Sequence, residues 1–322
     1  MEPLLEKFSR SKILVTGDLM LDEYVWGEAR RISPEAPVPV VSVEKTDHVL
    51  GGAGNVIRNL STLGGQVRAV ALAGDDQDAD RIFEEIKALG VDPSGIIRDP
   101  GRPTTRKTRI MAAGQHVLRI DREVKKKISG DIFASAKKRL EDWVPEADLV
   151  IVSDYDKGFV TRDLMKDITA LARKNQTPTL VDPKGPDFSK YAGARVITPN
   201  RKEAVLAARM DITDEPSLFE AGRRLLDIAG VEKALITCGK DGMALFEKGL
   251  KPRRITARPR QVFDVSGAGD TAIATLALAL AAGAGFFEAA RTANAAAGIV
   301  VGKPGTAAVS LEELEKALER LA

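Results

Sequence analysis

The sequence predicts an α/β protein, a doubly wound sandwich with a mostly parallel sheet between two helical layers. Two observations predict it. Short apolar runs alternate with helical patterns along most of the chain, and several of those runs end in Gly, Asp or Ser, where a buried strand hands over to a loop. The apolar runs cover residues 12–17, 67–72, 149–153, 179–182, 195–198 and 234–237. Amphipathic stretches fill 53–63, 78–89, 130–143, 162–174 and 217–229. This alternation requires right-handed βαβ crossovers, which place helices on both faces of a parallel sheet.

Two stretches break the rhythm. Residues 22–43 carry Pro34, Pro37 and Pro39 without a helical period, and 106–110 with 116–121 read as a hairpin turning at Ala113 and Gly114. They either pair as a small sheet over the strand ends, where open α/β sheets bind ligands, or form surface loops. Lys125, Lys126 and Lys127 read as a solvated loop. No internal repeat, low-complexity tract or linker is present.

Composition narrows the function. With 322 residues, 44% hydrophobic and 29% charged, the chain is globular, either two domains or one large α/β unit with an appendage. A net charge of +2 argues against a nucleic-acid partner. The single cysteine, Cys238, excludes a disulfide framework and fits a reducing compartment. Only His48 and His116 are present, which leaves no histidine-rich metal site. Residues 1–12 lack the apolar core of a signal peptide. The longest uncharged stretch, 271–287, is broken by Gly283 and Gly285 and is too short to span a membrane. The expected location is the cytoplasm, with no membrane partner.

The most informative segment is V-F-D-V-S-G-A-G-D at 262–270, followed by a long helix from Thr271. The free amides of Gly267, Ala268 and Gly269 admit an anion closely, and a helix start adds about half a positive charge. This is an anion hole for a phosphoryl group. Asp270 within it is placed to take a proton from an attacking hydroxyl, or simply to cap the helix. The segment 267–272 also matches G-x-G-x-x-A, but the run at 286–301 is a second Ala-rich helix, so no strand delivers the acid that a dinucleotide site needs.

A second glycine cluster, G-G-A-G-N at 51–55, opens a helix over 56–63. Its Asn55 offers a donor and an acceptor to a polyhydroxy ligand, or the cluster is a plain loop-to-helix turn. Asp18 and Asp22 follow the first strand, where carboxylates accept bonds from sugar hydroxyls. The third feature, T-P-N-R-K-E at 198–203, places Asn200 and Glu203 three apart. That pair either organises a magnesium ion through its waters or caps a helix. No G-x-x-x-x-G-K-[ST] occurs, which argues against a P-loop enzyme.

Taken together, the motifs at 51–55, 198–203 and 264–270 resemble the ribokinase-like sugar kinases, the phosphofructokinase B group. The resemblance runs along essentially the whole chain. It implies a ribokinase-like three-layer sandwich, with eight or nine strands in a mostly parallel central sheet and a small β-lid from segments about 19–50 and 102–122. Residues 1–322 would then form a single kinase domain using ATP, Mg²⁺ and K⁺. Segments 17–27, 31–40, 153–158, 182–185 and 301–306 are most similar to the bacterial heptose 7-phosphate kinases of lipopolysaccharide-core precursor synthesis. These phosphorylate O1 of D-glycero-D-manno-heptose 7-phosphate. The kinase-length chain has no H-x-G-H motif, so the resemblance implies a kinase without a fused nucleotidyltransferase domain.

Carried onto matching positions, the resemblance makes Asp270 the base and Gly267, Ala268 and Gly269 the cradle of the transferring phosphoryl. Asn200, Arg201, Lys202 and Glu203 would meet ATP phosphates, with Glu203 reaching magnesium through water. Thr237, Gly239, Gly242, Asn294 and Gly298 would line the nucleotide site. Asp264, Ser266, Gly302 and Gly305 would surround the monovalent cation. Asp18, Gly52, Gly54, Asn55 and Asp154 would bind the sugar. A second substrate phosphate requires cations. Lys107, Arg109 and Arg119 on the hairpin, with Lys157 and Lys184 after core strands, are the candidates, and alternation puts Lys107 and Arg109 on one face.

The alternatives are a fructose or 2-keto-3-deoxygluconate kinase and a catalytically silent sugar or nucleotide sensor. Exposed edges of a lid sheet invite pairing with a second copy, so a homodimer is expected.

Overall fold

The computed structural model describes residues 3–112, 114–257 and 262–320. Among them a nine-strand path forms the central sheet, in the order β12-β11-β10-β9-β8-β7-β1-β3-β4. Its strands are β1 (Lys12–Ile32), β3 (Gln66–Gly74), β4 (Ile96–Asp99), β7 (Leu149–Ser153), β8 (Thr179–Asp182), β9 (Val196–Ile197), β10 (Lys233–Thr237), β11 (Met243–Glu247) and β12 (Arg253–Ile255). Pairing is parallel from β4 through β10 and antiparallel at β10–β11 and β11–β12.

Strand alternation builds two cores. Ile13 and Val15 of β1 and Leu149 and Ile151 of β7 face one side, beneath α1 (Ala53–Thr62), α2 (Gln77–Ala88), α7 (Ala268–Ala281), α8 (Phe286–Val300) and α9 (Leu311–Glu319). Leu14, Val150 and Val152 face the other side, beneath α3 (Gly130–Trp143), α4 (Arg162–Lys174), α5 (Arg201–Ala208) and α6 (Glu215–Ala229). A parallel strand buried on both faces must be apolar at every position, which is why these runs show no alternation. Helix α7 is apolar around its circumference because it packs between α1 and α8, and its residues 270–279 are all buried.

The expected strands and helices at 67–72, 130–143, 149–153, 162–174, 179–182 and 234–237 fall within a residue or two of the observed elements. Several boundaries and elements differ. The first strand does not stop at residue 17 but runs on to Ile32. Helix α7 starts at Ala268 rather than Thr271, while α1 matches the amphipathic stretch at 53–63, so Gly54 and Asn55 lie inside its first turn rather than before it. The run at 195–198 keeps only two strand residues. Strands β4, β11 and β12 and helix α9 are additions.

Beyond Asp18, β1 leaves the central sheet and becomes the middle of an outer sheet. There it pairs antiparallel with β2 (Pro39–Gly52) and parallel with β5 (Thr105–Ala112), which pairs in turn with β6 (Gln115–Arg122). Residues 22–32, 39–43, 106–112 and 115–121 of these stretches are therefore strand, with 33–38 as the loop between β1 and β2. Ala113, half of the expected turn, lies outside the described residues. Arg106 and Arg122 of the outer sheet pair with Asp78 of α2 and tie this sheet to the central one. No described helix is long and apolar enough to cross a membrane.

Candidate active site

The site forms where α7 begins, between the two sheets. Gly267 precedes the helix at φ +76°, in the left-handed region, and Ala268, Gly269 and Asp270 form the first turn. A Cβ on Gly267 would lie 2.5 Å from Asn55 Nδ2, so the glycine admits the α1 amide. That amide donates to Asp270 Oδ2 at 2.8 Å, and the Tyr155 hydroxyl donates to Oδ1 at 2.7 Å. Asn59 donates to Asn55 Oδ1 at 3.2 Å, which fixes the orientation of the Asn55 amide.

Asp270 is buried, and burial pushes its carboxyl up to about 6, against the two hydrogen bonds that favour its charged form. Asp22 adds to the rise and Lys184 opposes it. Asp270 does not cap the helix: the cap residue is Gly267, and both Asp270 oxygens are taken by side chains from other elements. Its position and its near-neutral titration suit a proton acceptor. Burial, then Asp270 and Asp182, hold the Tyr155 phenol well above its ordinary value, so it remains a donor.

Two cavities meet at this turn. One of about 170 Å³ is lined by Asp270, Gly267, Gly269, Tyr155, Asp154, Asp182, Lys184, Thr198, Asn200 and Glu203. The other, about 740 Å³, is lined by Thr237, Gly239, Gly242, Asn294 and Gly298, with Ile255, Phe287 and Val301 as apolar walls. Thr237 and Gly269 line both. All five residues assigned to the nucleotide thus line one cavity, which shares Thr237 and Gly269 with the smaller one at Asp270. The turn at Gly242 is tight: a Cβ there would sit 1.9 Å from the Ile255 carbonyl.

Asn200 and Glu203 form a capping box on α5, with Asn200 Oδ1 accepting from the Glu203 amide at 3.0 Å and Glu203 Oε2 from the Asn200 amide at 2.9 Å. The capping alternative is therefore real, yet Glu203 also receives Lys184 Nζ at 2.6 Å on its other oxygen and faces the smaller cavity. Arg201 pairs with Asp241 at 3.3 Å, and Lys202 is exposed. Burial opposes the charge on Lys184, but Glu203 holds its ammonium above the usual value. Asp182, half-buried beside Glu203 and Asp270, titrates well above the ordinary carboxylate range, first because of desolvation and then because of those two neighbours. No group of three or more His, Cys, Asp or Glu side chains among the described residues is set to ligate a metal directly, so a cation in this cavity would be held through its waters.

Other assignments change. Asp18 does not present a free carboxylate to the cleft. Its oxygens accept from the backbone amides of Tyr155 (2.9 Å), Lys157 (3.1 Å) and Phe159 (3.2 Å), so it organises the loop that carries Tyr155. Burial, with Asp154 adding, pushes Asp18 up to about 6. Gly54 packs against Leu50, and Gly52 approaches the Asp18 carbonyl, so both serve close packing of α1 on β1. Asp154 is held by Tyr191 at 2.7 Å and Lys190 at 2.5 Å.

Among the five cations, Arg109 is committed to Asp22 at 2.7 Å, Arg119 is paired bidentately with Asp121, and Lys184 is held by Glu203. Lys157 Nζ meets Glu123 at 2.7 Å. Lys107 makes no ion pair among the described residues. Burial and then the Lys157 ammonium lower its pKa.

The loops at 262–266 and 301–306 are brought together, since the amides of Phe263 and Asp264 donate to the Val301 carbonyl and the Ser266 amide donates to Asp264 Oδ1 at 2.8 Å. Gly305 sits on the Tyr24 ring, and Tyr24 and Asp22 engage the Thr306 hydroxyl at 3.1 and 3.0 Å. Sequence reasoning missed Tyr155 and Asp182 as site residues. A tyrosine beside an acid in D-Y-D-K was visible, but nothing local showed where its hydroxyl points.

A family model described as pfkB family carbohydrate kinase matches residues 10–314. Two curated relatives carry the name Bifunctional protein HldE. The protein from Desulfatibacillum aliphaticivorans is 52% identical over 312 residues, 97% of this chain and 64% of its own. That from Geobacter sulfurreducens is 47% identical over 305 residues, 94% of this chain and 61% of its own. The chain thus spans less than two thirds of their length. Among solved structures, Arabidopsis thaliana ribokinase complexed with ribose and ATP superposes with a TM-score of 0.78 at 23% identity, covering 96% of this chain and 99% of that one. Escherichia coli phosphofructokinase-2 in complex with potassium gives 0.81 at 17%, covering 97% and 99%. At these identities the likeness is one of fold.

Proposed function

This chain belongs to the pfkB family of carbohydrate kinases, and from that premise we propose that it transfers the γ-phosphoryl of ATP to O1 of D-glycero-β-D-manno-heptose 7-phosphate. The observation that carries the reading is the junction of the two cavities at Gly269, beside a buried carboxylate at a helix start. The larger cavity would take the nucleotide and point its phosphates at the amides of Gly267, Ala268 and Gly269. Asp270 would accept the proton of the attacking hydroxyl. The sugar oxygen then bonds to the γ-phosphorus, the bond from that phosphorus to the bridging oxygen breaks, and ADP leaves.

The crowded carboxylates of Glu203 and Asp182 fit a magnesium ion held through its waters. When bound, that ion would neutralise phosphate charge. The abutting loops with Asp264, Ser266, Gly302 and Gly305 are where K⁺ would sit. The outer sheet would serve as the lid, making residues 1–322 one kinase unit. Its apolar side chains Val117, Leu118 and Ile120 on β6 are exposed, which supports a homodimer formed through this sheet. Sedimentation at micromolar concentration returning monomer alone would reject the dimer.

The anionic sugar is supported by Lys107. It shares a strand face with Arg109, whose partner Asp22 reaches Thr306 at the site, and a second ammonium, Lys157, lies nearby. A phosphate between two such cations offsets their repulsion. The test is ADP release with a panel of heptose 7-phosphate, fructose and 2-keto-3-deoxygluconate, with the position of the new phosphate read by phosphorus NMR. Preferred turnover of either neutral sugar or acid would overturn the substrate assignment. Equal ADP release by wild type and Asp270→Asn would make the chain a binding protein.

A further inference from the structure

We propose that Tyr155 is the positioning residue of the base: its hydroxyl, opposite the Asn55 amide, clamps the Asp270 carboxylate in one orientation and keeps it ionised for proton transfer. The geometry is a two-sided grip. Tyr155 donates to Oδ1 at 2.7 Å and Asn55 to Oδ2 at 2.8 Å, so one donor holds each oxygen. A carboxylate has about four lone-pair directions. Two are used by the grip, and the others remain for a substrate hydroxyl in the 170 Å³ cavity that Asp270 and Tyr155 both line.

The grip depends on a second carboxylate. Tyr155 lies in the loop after β7, and Asp18 fixes that loop by accepting three backbone amides from residues 155, 157 and 159. The first core strand thus orients Tyr155, and Tyr155 orients a base in α7. The Tyr155 ring is also packed, with Lys184 Nζ 5.9 Å from its centre. These contacts leave the phenol little freedom to swing away.

The charged groups facing Asp270 are Asp22 from β1, Asp182 from β8 and Lys184 from the loop after β8. Burial and Asp22 favour the protonated carboxyl, while Asn55, Tyr155 and Lys184 favour the carboxylate. With one acid against one lysine, the neutral donors carry much of the opposition to burial. Removing the phenol therefore raises the pH at which Asp270 ionises. A phenol that is a stronger donor lowers it.

The experiment titrates the Asp270 carboxyl by carbon-13 NMR in aspartate-labelled protein, its resonance identified by its loss in Asp270→Asn. Tyr155→Phe is expected to raise the midpoint by roughly one pH unit, the loss of one hydrogen bond to a charged group. 3-Fluorotyrosine placed at 155 keeps the shape, donates more strongly and should lower the midpoint. The acid limb of kcat/KM should move in the same direction in each variant. A midpoint that stays put in both variants, or moves the same way in both, overturns the role. If Tyr155→Phe does not fold, the near-isosteric fluorotyrosine decides alone. The inference rests on the kinase reading for the role of Asp270, but the titration needs no sugar. Absence of turnover in the wild type rejects the kinase reading only, and a fixed midpoint in a protein that turns over rejects the Tyr155 role only.

Discussion

Two glycines of one turn should fail for opposite reasons when each is changed to alanine. At Gly267 the backbone is left-handed, which costs an L-residue roughly 1–2 kcal/mol. Its new Cβ would also lie 2.5 Å from Asn55 Nδ2, so the amide must retreat by nearly 1 Å. Asn55 is fully buried and can retreat only by loosening its 2.8 Å bond to Asp270. Losing a hydrogen bond to a charged group is worth about 1.5–3 kcal/mol, or one to two pH units on the carboxyl. A base that ionises at about 6 would then be roughly half to nine-tenths protonated at pH 7. With displacement of the base added, kcat/KM should fall on the order of 10²-fold at pH 7 and recover in part at pH 9. At Gly269 a Cβ meets nothing within 4 Å and the conformation is helical. Gly269→Ala should therefore melt no lower than wild type, since alanine favours a helix by about 0.5–1 kcal/mol. It should nevertheless lose activity, because its methyl fills the junction of the two cavities. The assays are thermal unfolding and coupled ADP release, run side by side. Gly267→Ala within threefold of wild type at pH 7, or Gly269→Ala with full activity, would refute the reasoning.

Other consequences can be measured on the same protein. The kcat/KM of the wild type should fall tenfold per unit below about pH 6, because Asp270 must be ionised to accept a proton; a flat profile down to pH 5 would contradict this. The same raised carboxyl works against the fold: the stability it gives at low pH is lost as pH rises through about 6. Asp270→Asn should therefore be inactive by about 10²-fold or more yet melt a few degrees higher at pH 7.5. That gain should shrink at pH 5, and a variant that melts lower at pH 7.5 would count against it. Asp18→Asn replaces an acceptor of three amides with a group that accepts at one atom only, so proteolysis at 154–159 should quicken and kcat should drop together. Lys107→Ala should raise KM on the order of tenfold for a sugar 7-phosphate and leave KM for the unphosphorylated sugar nearly unchanged; equal effects on both would remove Lys107 from the phosphate site.

The strand–helix order, the parallel sheet and the glycine-rich turns were legible in the chain because each rests on local physics. A buried strand must be apolar along its length, an amphipathic helix must repeat near every 3.6 residues, and a backbone that admits an anion needs residues such as Gly267 and Gly269. Thr237, Gly239 and Gly242 came from the family resemblance rather than from local physics, and the structure places all three along the 740 Å³ cavity. The length of β1 was not legible. No residue between Gly17 and Leu21 marks where a strand leaves one sheet and enters another, because both sheets accept the same extended backbone. The partners of Asp18 were not legible on similar grounds, since an acid after a strand looks the same whether it faces a cleft or a loop.

What the sequence alone determined is therefore which backbone shapes the chain can adopt and where glycine and acid stand together. The tertiary structure decided which acid is buried between two side-chain donors. Asn55 and Asp270 are 215 residues apart, and Tyr155 and Asp270 are 115 apart. The titration of Asp270 comes from burial and from those two contacts. Desolvation and hydrogen-bond direction depend on what packs around a group in space, and no period or motif along the chain encodes them.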